Sequence, residues 1–384
     1  MYRESDRLII KGKVWNLFQN RIVVTDYDNS FCLYDLAAKG HRSWETSIEI
    51  QAIFNIGFIK DTSLYINDGS SSSYVLNVLN GQIEKKLNLS VNDSLGDLGL
   101  IGIMRDGKYC VGCVQLNEPE KIIWSVSPNP FFEVFDSNYL LGFPKPGEYG
   151  KNSSIFGRYS ADTGALLWHF DVTEPGRYRE WYPEGPEHPG VVTKFLGVWQ
   201  GRLYVAVSNG LIIELDLENG RLLRSWQQLP DGIALPPSGW DKLHGLELAF
   251  LDAAAGEIAC VTHQYYWHID LESGALHFHD LREHFSAAQL QVSPPAGDPA
   301  FDAEHIYFAS EFLQYDGQSG ANVYQLAALH RRSARIVWQQ QVELPQSCQW
   351  KQHPVLDGRR LYALSHDLAR SSEGGTLHIF ERTE

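Results

Sequence analysis

Short apolar stretches with a rough two-residue alternation recur along the whole chain. Each ends in a turn and is followed by a second stretch that carries an aromatic residue. The clearest copies are SADTGALLWHF (Ser160 to Phe170), DLENGRLLRSW (Asp216 to Trp226) and DLESGALHF (Asp270 to Phe278). Weaker copies are NVLNGQIEKKL (Asn77 to Leu87) and YDLAAKGHRSW (Tyr34 to Trp44). Alternation over so few residues predicts half-buried strands. Asn219-Gly220, Ser273-Gly274 and Thr163-Gly164 supply the left-handed turn residue of a tight hairpin. One supersecondary unit used many times is the signature of a repeat architecture.

The third strand of each unit can be followed from Phe31, Ser73, Tyr109, Ser154, Leu211, Tyr265, Asn322 and Thr376. A fourth strand follows seven of them, carrying Trp44, Leu87, Trp124, Trp168, Trp226, Phe278 and Trp338. The eighth unit stops after its third strand and would leave an unpaired edge. The segment DRLIIKG (Asp6 to Gly12) is expected to supply the missing strand. The expected fold is all-β: an eight-bladed β-propeller closed by an N-terminal strand, with 1–384 as a single domain. A seven-bladed ring is the alternative, because Leu98 to Met104 in the third unit leaves little room for an innermost strand. The aromatic on each outer strand should wedge against the neighbouring blade.

Asp162-Thr163-Gly164-Ala-Leu-Leu-Trp168 resembles the tryptophan-docking motif of the pyrroloquinoline-quinone-type propeller repeat, Ala-x-Asp-x-x-x-Gly-x-x-x-Trp. Gly164 matches the turn glycine and Trp168 the docking tryptophan, while Asp162 stands closer to the glycine than the pattern asks. Gly274 and Phe278 keep the spacing with Phe for Trp; Gly220 and Trp226 are two residues further apart. That family includes quinoprotein dehydrogenases, an outer-membrane assembly lipoprotein and many non-catalytic binding propellers. The dehydrogenases use a vicinal Cys-Cys disulfide, calcium and a catalytic Asp in the central funnel, and the lipoprotein a lipidated Cys. This sequence has no Cys-Cys pair, and MYRESDRLIIKGKVWNLF does not read as a signal peptide because Lys11 and Lys13 break its apolar run. The resemblance therefore implies the fold and transfers no activity.

Composition narrows the partners. The 384 residues are 43% hydrophobic and 12% aromatic, which supports a large core. Lys+Arg 32 against Asp+Glu 47 gives a net charge of −15. This argues against nucleic acid and against an anionic membrane surface, and favours a basic protein partner. Five cysteines, Cys32, Cys110, Cys113, Cys260 and Cys348, are an odd, sparse set that reads as reduced thiols in a cytoplasm. Cys110 and Cys113 have a suggestive spacing, but on a strand they face opposite sides. A monomer is expected.

Strand direction puts the loops joining strands two and three, and those joining one blade to the next, on one face. The long insertions fall in that set: 144–152, 171–190, 229–245, 281–300 and 311–320. Long loops on a rigid frame tend to carry function. Their aromatics, Tyr149, Tyr178, Trp181, Tyr182, Trp240, Phe312 and Tyr315, are the candidate partner-binding residues, since such side chains anchor interfaces. Histidines gather at His263, His268, His277, His279 and His284; His277 and His279 should share one side of a strand. No second ligand spacing accompanies them, so neither a metal nor another cofactor is expected. No phosphate loop, nucleophile elbow or HExxH appears. The expected function is a non-catalytic, bacterial-type protein-binding propeller, with an immunity or inhibitor protein for a toxin fitting these features. The alternative is a hydrolase or lyase with a His/acid site in the funnel.

Overall fold

The computed structural model describes residues 2–10, 13–18, 21–25, 30–35, 41–47, 53–68, 72–105, 108–126, 131–135, 139–144, 153–179, 186–227, 248–262, 265–292, 298–315, 320–367 and 374–383. Among the described residues, eight small antiparallel sheets form the blades of an eight-bladed β-propeller. Seven blades are four-stranded and consecutive in sequence. The third strands are Ser30–Asp35, Ser73–Asn77, Lys108–Gln115, Ile155–Tyr159, Leu211–Asp216, Tyr265–Asp270, Gly320–His330 and Gly375–Arg382, one for each predicted unit.

The eighth blade is closed as expected, with an earlier start. Tyr2–Ile10 lies antiparallel on Gly375–Arg382, with Leu8 opposite Leu377 and a bulge between Glu4 and Asp6. Gly12, the expected end of this strand, lies outside the described residues. The seven-bladed alternative fails at the third blade, whose innermost strand is Ser90–Leu95. Its sequence, SVNDSL, hides the strand because only Val91 and Leu95 are buried. Its polar residues instead join a hydrogen-bonded network: Asn67 Nδ2 donates to Asn92 Oδ1 at 3.2 Å, and the Val91 amide donates to Ser73 Oγ at 2.8 Å.

The described residues divide into two compact units. Unit one, Met1–Arg42 with Leu248–Glu384, holds blades six to eight and the inner strands of the first. Its cores lie between blade faces: Tyr307, Leu326 and Trp338 of blade seven meet Leu361 and Phe380 of blade eight, and Leu364 and Leu377 meet Ile22 and Val24 of the first blade. Unit two, Ser43–Glu247, holds blades two to five. Phe143, Phe156 and Trp168 of blade four pack there on Phe195, Val205 and Leu215 of blade five.

Tryptophans on the outer strands tie blade to blade by one repeated contact. Trp44 Nε1 donates to the Val78 carbonyl at 2.6 Å, Trp124 Nε1 to Ala161 at 2.6 Å and Trp168 Nε1 to Leu217 at 2.8 Å. In unit one, Trp338 Nε1 donates to the Tyr2 carbonyl of the closing strand at 2.8 Å. Each of the first three rings lies over the turn glycine of the following blade. A Cβ at Gly81, Gly164 or Gly220 would sit 2.4, 2.5 or 2.6 Å from the indole. Those glycines also have φ near +70°, where a side chain is disfavoured. The turn polar residues have a cause as well: Asp216 Oδ1 accepts from the amides of Glu218 and Asn219.

Candidate functional site

Unit two carries an arm between blades four and five, within 171–190. Its root is held by backbone contacts. The Gly176 amide donates to Val172 O at 2.9 Å and the Gly190 amide to Thr173 O at 2.8 Å. Ser208 Oγ donates to Gly176 O at 2.7 Å and accepts from the Val191 amide at 2.9 Å. A Cβ on Gly190 would meet the Val172 carbonyl at 2.0 Å, so only glycine fits this crossing. Above the root, Tyr178–Arg179 pairs with Glu187–His188. The Tyr178 ring stacks on His188 with centroids 5.2 Å apart, and Arg177 Nε donates to Glu174 Oε2 at 3.1 Å. Tyr178 is thus half-buried at the base of a short ribbon. Trp181 and Tyr182, between its strands, lie outside the described residues, as do Tyr149 and Trp240.

In unit one the expected loop 311–320 is largely strand. His305–Tyr315 and Gly320–His330 are eleven residues each and stay paired from His305↔His330 to Tyr315↔Gly320. The outer strand of the blade pairs only as far as Tyr324, so this ribbon continues past it. Its edge is satisfied by a side chain: Gln346 Oε1 accepts from the Asn322 amide at 2.7 Å, and Gln346 Nε2 donates to Asn322 O at 3.2 Å. One carboxamide thereby replaces a strand, which is why loop-like composition stays extended here. Phe312, half-buried, stands opposite Val323, and Tyr315 ends its strand.

The insertion 281–300 also folds onto this blade. Arg282–Ala288 is a helix whose buried Phe285 meets Phe308 at 5.9 Å. Beyond it, the Gln291 amide donates to Ser310 Oγ at 2.9 Å and Gln325 Nε2 to Gln289 O at 2.9 Å. The two anchored aromatics, Tyr178 and Phe312, therefore stand on ribbons with fixed roots.

His277 and His279 share one face of blade six, joined there by His268. His268 stacks on His277 at 4.6 Å and lies 6.2 Å from His279; Tyr266 stacks on His279 at 5.6 Å. Stacked rings present faces to one another and do not turn their nitrogens to a common point. Among the described residues no group of three or more His, Cys, Asp or Glu could hold a metal. Burial, then the neighbouring His277, His279 and Arg331, push His268 down to about 4. His263 lies outside the described residues.

Sequence reading gave no sign of a second arrangement. Glu4, His378 and Ser365 come together in blade eight: His378 lies 3.0 Å through Nδ1 from Glu4 Oε1 and 3.2 Å through Nε2 from Ser365 Oγ. Glu4 and His378 are 374 residues apart, so no spacing could reveal them. The order of groups is that of a serine hydrolase, but the context differs. Ser365 and His378 are 2% and 1% exposed, and the Trp350 ring lies edge-on to the imidazole at 5.8 Å. A sealed hydroxyl has no route to substrate, and the array acts as a polar latch between the closing strand and its blade. Burial lowers His378 despite the Glu4 carboxylate, while hydrogen bonds from Arg7 and His378 outweigh burial to lower Glu4.

The chain belongs to a known family: the family model described as outer membrane protein assembly factor BamB matches residues 151–372, more than half its length. No curated relative matches the chain. Among solved structures, a europium-containing methanol dehydrogenase is similar at 11% identity and a TM-score of 0.57, covering 99% of this chain and 93% of that one. Saccharomyces cerevisiae Sqt1 is similar at 14% identity and a TM-score of 0.54, covering 100% and 98%. BamB from Moraxella catarrhalis aligns at 10% identity and a TM-score of 0.41, over 100% and 98%. At these identities the likeness is one of fold.

Proposed function

We propose that the chain is a non-catalytic protein-binding propeller whose partner seats on the long-loop face, at Tyr149, Tyr178, Trp181, Tyr182, Trp240, Phe312 and Tyr315. The observation that carries this reading is the glycine-locked root of the arm within 171–190. A recognition element held at its base loses less conformational freedom on binding than a free loop. Aromatic side chains offer large contact area with few rotatable bonds. The family includes an assembly factor by its description, and a propeller of that kind is consistent with a protein-binding role. The partner we infer is basic, because a surface of net charge −15 attracts cations and repels nucleic acid. An immunity or inhibitor protein that binds a toxin is the finer reading, acting as a monomer in the cytoplasm. Five buried cysteines suit a reducing compartment.

The test is calorimetric titration with a partner recovered from the source cell. A central aromatic anchor is worth ~2 kcal/mol or more, so Trp181→Ala and Trp240→Ala should each weaken binding roughly thirtyfold at ~1.4 kcal/mol per factor of ten. Unchanged affinity in both variants would place the interface elsewhere.

A further inference from the structure

Within unit one, blade six meets blade seven by a different device from the tryptophan contact. In blades two to five and in blade seven the fourth strand slips by one residue against the third. In blade eight the closing strand does so between Glu4 and Asp6. Blade six keeps one register from Tyr265↔Asp280 to Ile269↔Leu276. Losing the bulge turns the strand over, because side chains alternate between faces. Phe278, spaced from Gly274 as Trp168 is from Gly164, therefore lies beside Tyr265 at 5.1 Å, on the face away from blade seven. His277 takes the docking place: it opposes His268 as Trp168 opposes Arg158, each of those two residues before the carbonyl that accepts from the turn glycine. Blade seven matches the change. Where Gly81, Gly164 and Gly220 lie under an indole, its turn has Ala334, buried at a φ of +50°.

The face turned to blade seven is polar on its outer strands. At the inner strands Phe250 stacks on Phe301 at 4.4 Å. From blade seven Arg331 reaches across: Nη1 donates to Asp252 Oδ2 at 2.6 Å, and Nη2 lies 3.3 Å from Glu257 Oε1. Asp270, the third carboxylate of this face, accepts from the amide and the hydroxyl of Ser273 at 2.7 and 2.8 Å. All three carboxylates are thus engaged. On the third and fourth strands stand His268, His277 and His279, with Tyr266 buried beside His279. His277 is exposed, and His268 and His279 are half-buried. A proton on His268 sets a charge between two stacked imidazoles and the Arg331 guanidinium, and a charged half-buried group is stabilised only by drawing water in.

We infer that this joint is an acid-operated hinge: its outer half opens locally, ahead of the rest of unit one, when its histidines are protonated. The indole wedge is replaced here by imidazoles that water already reaches. Arg331 and the Phe250–Phe301 stack hold the inner strands, so the movement belongs to the outer ones. The outermost, Leu276–Asp280, runs on into the helix Arg282–Ala288 of the insertion 281–300. Burial, then His277, His279 and Arg331, hold His268 at about 4 against 6.5 when free, and burial leads in lowering His279 too. The closed joint binds the proton last, so closure is fully favoured above pH 6.5 and weakens as pH falls towards 4. For His268 alone, the ratio of open to closed joint rises roughly twentyfold from pH 7 to pH 5.

The experiment follows thiol labelling of the folded Ala334→Cys chain by mass spectrometry at pH 7 and pH 5, each rate divided by that of the unfolded chain at the same pH. Ala334 is 5% exposed. The native Cys32, in the core between blade eight and the first blade, and Cys260, opposite Trp267 on the other face of blade six, serve as references. The substituted position should label faster than both references, and its protection should fall roughly twentyfold at pH 5. His268→Gln should remove most of that fall. Hydroxyl-radical oxidation of the unsubstituted chain gives the same comparison: Tyr266, buried in this joint, should gain reactivity in acid ahead of Tyr324, buried between blades seven and eight. Protection at Ala334→Cys equal to that of Cys32 and Cys260 at pH 5 overturns the proposal, since the joint would then open only as the chain unfolds. So does protection indifferent to pH, a fall that His268→Gln leaves intact, or oxidation of Tyr266 and Tyr324 in step.

Discussion

Trp168 and Gly220 show how single residues hold this fold. The indole of one blade lies on the glycine of the next and donates to a carbonyl three residues before it, Leu217. A methyl group at Gly220 would sit 2.6 Å from the indole at a φ of +71°. Gly220→Ala should therefore cost about 2–4 kcal/mol, combining overpacking with backbone strain; urea denaturation reads it directly, and a loss below 1 kcal/mol would contradict the wedge. This much was legible, because the glycine, the turn residues before it and the tryptophan form one phrase in the sequence. The Glu4–His378–Ser365 latch was not, since its members meet only when the first and last strands pair. A pH effect belongs to this scale too. His268 is held neutral by burial, with a folded value of about 4 against 6.5 when free. The unfolded chain binds the proton first, so the stability His268 contributes is present above pH 6.5 and lost as pH falls towards 4. His279, His366 and His378 shift in the same direction, burial leading each time. Melting temperature should fall between pH 7 and pH 5, and His268→Phe should shrink that fall; an equal fall in both proteins would remove His268 from the cause.

At the scale of elements, the closing strand ties several parts of unit one together. Tyr2–Ile10 supplies the carbonyl for Trp338, ring contacts of Tyr2 with Tyr307 at 5.5 Å and with Trp338 at 5.7 Å, and the Glu4 end of the latch. Without it, Gly375–Arg382 becomes a bare edge flanked by exposed apolar surface. A chain lacking residues 1–10 should lose cooperative unfolding and aggregate, and a peptide of residues 1–12 added in trans should restore a single transition. Full stability in the truncated chain would show that the blade closes by other means. The sequence revealed this strand because an eighth unit ended one strand short. It concealed Ser90–Leu95, where a hydrogen bond from Asn67 to Asn92 and one from the Val91 amide to Ser73 replace most of the apolar signal. It also read 311–320 as loop, because the side-chain amide that keeps that ribbon extended comes from Gln346, distant in the chain.

For the whole molecule, the net charge of −15 has a kinetic consequence. Association with a basic partner should be steered by the field, with an on-rate that falls steeply as salt rises while the off-rate changes little. An on-rate flat between 50 and 300 mM salt would argue for a neutral partner. The aromatic content of the insertions was readable in the sequence, and of 171–190 the strands Tyr178–Arg179 and Glu187–His188 are described. How Tyr178 and Phe312 are anchored was not readable, because close glycine crossings and strand-mimicking side chains leave no periodic trace. Two kinds of aromatic residue follow from this reading: those that dock blade to blade and those we propose to seat a partner. Thermal unfolding of Trp168→Ala beside Trp181→Ala tests that separation most directly. Trp168 is 8% exposed and fixed to the next blade, and its loss should cost on the order of 3–5 kcal/mol and lower the melting temperature by several degrees. Trp181→Ala should melt with the parent protein. A Trp181→Ala transition as low as that of Trp168→Ala would contradict the account, since the arm would then be part of the frame and not a surface for recognition.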